Sequence, residues 1–351
     1  MQYNKRPIDY LAQVNILKQR GLFIPEAEDA ICRLQRISYF RLAEYWHPME
    51  SNKQTHKFMS GSVFTDAVKL YSFDKELRTL LFSAINDIEI SLRTQMIHHF
   101  SLHHGAFWFA DSSLANNSRL FDDNMARIQA ELSRTHEEFI KEHYQKYTRP
   151  PFPPAWKTLE VLSFGTLSKL FSNFKDKQVK KAVASEYHLP KYIYLESWMA
   201  CIAVLRNCCA HHARVWNRQF ALVPRIPSNM TAPWIGNVPN SRKLYPLLCC
   251  IAYLQKQIYP TSSFATDLKA LFPAFPNVNT TAMGFPAGWR DEALWKWGGE
   301  HHRSRASSVA RLLWLLQAPP SCLQVCFAGW AEIAYPPRLT TQRGPNRLVL
   351  N

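Results

Sequence analysis

The sequence predicts an all-α fold, a helical bundle with proline-rich irregular connections. Three observations point there. Apolar residues recur at spacings of three and four along most of the chain. Runs that alternate apolar and polar, as strands do, are sparse. The 22 prolines include dense clusters such as RPPFPPAW at 149–156, which break the helical periodicity sharply.

The elements follow in order. Helices are expected at 9–20 and 26–37, separated by the stop and start signals Gly21 and Pro25. SYFRLAEYWHPM (38–49) is aromatic-rich and ends at Pro48. The longest pattern runs from Phe64 to about Leu102. Leu70, Phe73, Leu77, Leu80, Leu81, Ala84, Ile85, Ile88, Leu92 and Met96 mark its apolar face, and without Pro or Gly it reads as one core helix. A polar helical stretch at 118–147 precedes the proline break. Further helices are expected at 157–172 (interrupted near Phe164–Gly165), 177–187, 192–219 and 243–257. TDLKALF (266–272) and MGFPAGWRDEALW (283–295) come last.

The expected organisation is an N-terminal helical region at 1–60, a helical body at 61–297 and an atypical tail at 298–351. The tail has no Lys, no Asp and six Arg, and its periodicity is weak. Hydrophobic residues make up 47% of the chain, enough for a packed core and too many for a disordered protein.

Charge narrows the partners. There are 42 Lys+Arg against 27 Asp+Glu, a formal +15, which favours polyanionic partners, with RNA, DNA and anionic membrane surfaces all eligible. No run approaches the ~20 apolar residues of a spanning helix, so no membrane partner is expected. MQYNKRPIDY carries no apolar run behind its charges, which fits a cytoplasmic location. The eight cysteines lack a disulfide spacing and are expected as reduced thiols. No metal and no cofactor is expected: adjacent Cys208 and Cys209 diverge by about 100° on a helix, and His103–His104 and His301–His302 lack partner ligands. A phosphate-cradling glycine loop and a serine-hydrolase elbow are both missing.

The chemistry concentrates in LRNCCAHHARVWNR (205–218). Arg206 and His211 lie five residues apart, with Asn207 one turn before His211 and His212 directly after it. A histidine titrates near neutrality and suits proton removal from a ribose 2′-hydroxyl. An arginine fork suits the charge growing on the scissile phosphate. Asn207 shares a face with His211 and could orient it. Such a set cuts RNA without metal, but one helix supplies half of an acid–base apparatus, so a homodimer is expected. The same residues also fit a helix end whose Arg and His only cap carbonyls, and Arg93 and His98 repeat the spacing on the long helix. Tyr39, Phe40, Tyr45 and Trp46 fit either base stacking or core.

Five segments in order then show a resemblance: RGLFIPEAEDAICRLQRISYFRLAEYWHP, FTDAVKLYSFDKELRTLLFSAINDIEISLRTQM, WKTLEVLSFGTLSKLFSNF, SWMACIAVLRNCCAHHARVWNR and MGFPAGWRDEALW. Over roughly residues 5–297 the chain resembles the Abi family of bacterial abortive-infection proteins, of the D/F type. The resemblance implies a HEPN-type helical fold with an Arg-x4-His ribonuclease motif. Carried over residue by residue, it implies catalytic roles for Arg206, Asn207 and His211, with His212 as companion. Glu89 and Arg93, four apart in the family's IEISLR segment, are read as an ion pair that supports the site. The expected function is an antiphage RNA-cleaving toxin. The alternative is a non-catalytic protein that binds a structured non-coding RNA or senses phage components.

Overall fold

One 41-residue helix, α4 (Phe64–His104), organises the molecule. At ~1.5 Å per residue it is about 60 Å long, long enough to touch most of the other elements. The computed structural model describes residue 2, residues 6–236 and residues 242–297. The expectation of an atypical tail at 298–351 lies outside the described residues, as do His301 and His302.

Before α4 come α1 (Tyr10–Gln19), α2 (Ala27–Ile37) and α3 (Tyr39–Trp46), then a small hairpin of β1 (Glu50–Asn52) and β2 (Lys57–Phe58). After it come α5 (Ser118–Arg134), α6 (Glu138–Lys146), α7 (Ala155–Thr158), α8 (Phe164–Asn173), α9 (Lys177–Ser185) and α10 (Tyr192–Ala210). The series ends with α11 (Tyr245–Ile258), α12 (Phe264–Ala274) and α13 (Ala293–Lys296). The all-α expectation holds, with one two-stranded sheet among the described residues.

Eight of the ten apolar residues that mark the α4 face in sequence are buried, and Leu70 and Leu80 pack partly against the core. Helices α3, α9, α10, α11 and α12 lie against α4. In α11, every residue from Tyr245 to Lys256 is buried. A helix apolar all round belongs in the middle of a bundle, and α10 is nearly as enclosed.

Local chemistry explains where the elements divide differently from expectation. Ser38 sits at φ +74° and caps α3 by accepting from the Arg41 N–H at 3.3 Å, so α2 and α3 are separate. The stretch 118–147 is two helices, because Thr135 and Glu137 are extended and the Thr135 hydroxyl takes the Glu137 N–H instead. A 3-10 turn (Leu159–Val161) follows the short α7, and Ser163 then caps α8 by accepting the Thr166 N–H. The β1–β2 hairpin was not legible, since strands of three and two residues show no alternation. Its turn is made by Asn52, whose Oδ1 accepts from the N–H groups of Gln54 and Thr55 at 2.9 and 3.0 Å. Tyr45 and Trp46 are core, whereas Phe40 is 83% exposed.

Candidate functional site

Helix α10 is sunk in the core until its last turns. Leu195, Trp198, Met199, Ile202, Leu205, Cys208 and Cys209 are buried, and burial pushes the Cys209 thiol up to about 12. Only at the C-terminal end do Asn207, His211 and His212 become exposed, with Arg206 half-buried.

The helix stops here, not at 219 as the periodicity suggested. His211 is the C-cap. The His212 N–H then bonds the Cys209 carbonyl at 3.1 Å and the Ala213 N–H bonds the Cys208 carbonyl at 2.9 Å. This paired closure is a Schellman motif, with His212 at φ +56° in the place glycine usually fills.

Residues of α3 and α4 pin the loop beyond this cap. Arg41 donates to the His212 carbonyl at 2.6 Å, and Glu44 pairs with Arg214 at 3.2 Å. Asp74, wholly buried, accepts the Val215 N–H at 3.1 Å and the Trp216 N–H at 2.6 Å. The same carboxylate takes the Tyr45 hydroxyl at 2.7 Å and pairs with Arg78. Burial raises the Asp74 pKa, with Arg78, Tyr45 and the two N–H groups pulling the other way. Burial also opposes the Arg78 charge, but Asp74 beside it leaves that pKa raised.

Glu89 joins two arginines. Its Oε1 receives Arg93 Nη2 at 3.0 Å, and its Oε2 lies 3.6 Å from Arg206 Nε. Arg93 also donates to the Leu162 carbonyl at 3.2 Å and lies 3.8 Å from Glu160. Arg206 rests over the Phe82 ring at 5.8 Å, and a third of its side chain stays exposed. Thus α4 and α10 bring Arg206, Glu89 and Arg93 together.

The other expected members are less engaged. Among the described residues the Asn207 and His211 side chains make no hydrogen bond to one another or to the rest of the protein. Asn207 meets His211 through the backbone, its carbonyl accepting the His211 N–H at 3.0 Å. His212 contributes backbone to the loop. Arg93 turns inward to Glu89 while His98 is exposed against the His99 ring, so the second Arg-x4-His is not assembled.

The sequence reading missed Asp74, Arg78, Arg41 and Glu44, and it named Tyr45 without its bond to Asp74. A signal was present for two of them: Asp74 and Arg78 fall in register with the buried face of α4, where a charge has to be paired.

An all-α protein with an arginine–glutamate–arginine array beside an exposed Asn and His at a buried helix's end is the class these features define. The family model described as Abi-like protein matches residues 33–217, just over half of the chain, and the chain belongs to that family. The match includes Glu89, Arg93, Arg206, Asn207 and His211, and stops short of MGFPAGWRDEALW, which the wider resemblance had included. Membership supports a place in abortive infection, a form of antiphage defence. No curated protein and no solved structure matches the chain. No helix among the described residues is long and apolar enough to cross a membrane.

Proposed function

We propose that this Abi-like protein is a metal-independent endoribonuclease of the HEPN type, acting in antiphage defence. One observation carries the reading: Arg206 is held by Glu89 on α4 yet keeps a third of its side chain exposed, at the same end of α10 where Asn207 and His211 are exposed. A fixed arginine with an open fork is what a transferring phosphate requires.

In the proposed reaction the ribose 2′-oxygen attacks phosphorus while its proton passes to a His211 imidazole. The bond to the 5′-oxygen breaks, and that oxygen takes a proton from a second imidazole. The products are a 2′,3′-cyclic phosphate and a 5′-hydroxyl. Arg206 meets the negative charge that grows on the non-bridging oxygens. His211 of a second copy supplies the acid, because this Arg-x4-His spacing provides one histidine per chain and the backbone of the adjacent His212 is tied into the loop. Asn207, exposed and unbonded, is free to contact RNA or the partner copy. The formal charge of +15 assists RNA capture.

Incubation of purified protein with total RNA, and with a labelled oligoribonucleotide, tests this in magnesium-free buffer with chelator. Wild type is expected to leave 2′,3′-cyclic phosphate ends, and Arg206→Ala and His211→Ala to cut at least ~100-fold more slowly. Equal cleavage by all three proteins overturns the assignment. Tight RNA binding without cutting by wild type replaces it with the RNA-binding reading.

A further inference from the structure

The β1–β2 hairpin and the turn before it carry a second constellation, which shares no residue with the arginine array and is independent of the ribonuclease reading. His47 Nδ1 lies 2.9 Å from Glu50 Oε1, and His56 Nδ1 lies 3.3 Å from both Glu50 oxygens. One ligand atom from each of the three residues falls within 4.8 Å of the other two. We propose that His47, Glu50 and His56 bind one zinc-class divalent transition-metal ion.

Ligand geometry supports this. Zinc takes imidazole nitrogen at ~2.0–2.1 Å and carboxylate oxygen at ~2.0–2.2 Å, so tetrahedral ligand atoms lie about 3.4 Å apart. The 2.9 and 3.3 Å separations need only small side-chain rotations to accept an ion between them. Two imidazoles with one carboxylate select the zinc group of metals, whereas magnesium and calcium prefer all-oxygen shells.

Burial supports it as well. The Glu50 side chain is 2% exposed, while those of His47 and His56 are 48% and 41% exposed. A buried carboxylate requires a cation. Among the described residues its only ion-pair partners are these two imidazoles. A divalent ion would set a fixed positive charge beside this buried carboxylate.

The backbone is already arranged for the task. His47 opens a 3-10 turn (His47–Met49) with Pro48 as its second residue. Asn52 closes the hairpin turn, and His56 takes φ +55°, which returns its ring to the strand that bears Glu50. The ring centroids of His47 and His56 are 5.9 Å apart on the solvent side. With three protein ligands, a fourth would come from solvent, as in sites that keep a water on the metal. The other histidine–acid contacts on α4, His99 with Glu186 and His104 with Asp176, each offer one imidazole and one carboxylate.

The test uses the full chain, stripped with chelator, incubated with zinc chloride and desalted, with bound metal measured by mass spectrometry. Wild type is expected to hold one zinc per chain more than the His47→Ala/His56→Ala double variant. Circular dichroism checks that this exposed double variant stays folded. Glu50→Gln is expected to weaken zinc at least ~10-fold by calorimetry. Cobalt(II) should give the intense visible absorption of a low-coordinate site in wild type alone. Equal zinc content in wild type and double variant, with equal cobalt spectra, overturns the proposal. Cleavage is not read in any arm, so failure here leaves the ribonuclease reading untouched.

Discussion

Two acid–arginine pairs occupy the same helix with the same spacing and different fates. Asp74–Arg78 and Glu89–Arg93 are both four apart on α4. Around Asp74 the charge is used up: Arg78, the Tyr45 hydroxyl and two backbone N–H groups surround a carboxylate with no exposed surface. Around Glu89 an arginine from α10 takes the outer oxygen at 3.6 Å and keeps a third of its side chain exposed. A carboxylate that spends every lone pair on its own chain fixes structure. One that holds an arginine with its fork still open is arranged to present that arginine.

The largest effect should come from the closed pair. Asp74→Ala leaves Arg78 buried without a counter-charge and two N–H groups without acceptors. Removing one member of a buried pair costs ~3–5 kcal/mol, so the urea midpoint should fall steeply. The loop after α10 should lose amide protection ahead of the bundle. A loss under ~1 kcal/mol would show that the two pairs do not differ as described.

The open pair should respond in activity more than in stability. Glu89→Gln keeps the volume but releases Arg206 and Arg93. Arg93 retains the Leu162 carbonyl, so the stability loss should be about 1–2 kcal/mol. RNA affinity should hold or tighten, because a negative charge is gone, while kcat falls about tenfold as the arginine loses its position. A weakened Kd with unchanged kcat would assign Glu89 to RNA binding and end its positioning role.

Much of this was written in local pattern, and the rest was not. The α4 stripe was legible because 3.6-residue periodicity survives over 41 residues, and the Glu89–Arg93 pair because i,i+4 partners meet on any helix. Arg206 was legible as a candidate, but its attachment to Glu89 spans 117 positions, and no periodicity encodes that. Asp74 is the sharper case. Its register on the buried face was visible, yet its partners Val215 and Trp216 lie 141 and 142 residues away. The end of α10 was misjudged for the same reason. VWNR looks like helix to a local rule, and it is a tertiary acceptor that takes those N–H groups out of the helical ladder.

His212 offers the smallest and most selective test. It holds φ +56° at the position after the C-cap, where a side chain bearing Cβ is strained and glycine is not. Its backbone already does the structural work, closing onto Cys209 and accepting from Arg41. His212→Gly should therefore stabilise the fold by roughly 0.5–1 kcal/mol, the relief of left-handed strain less the added freedom of the unfolded chain. RNA cleavage should remain within about twofold of wild type, since His211 and Arg206 are untouched. Loss of cleavage with the stability gain intact would move His212 from the loop's scaffold into the reacting pair. It would also explain why a strained histidine stands where glycine fits better.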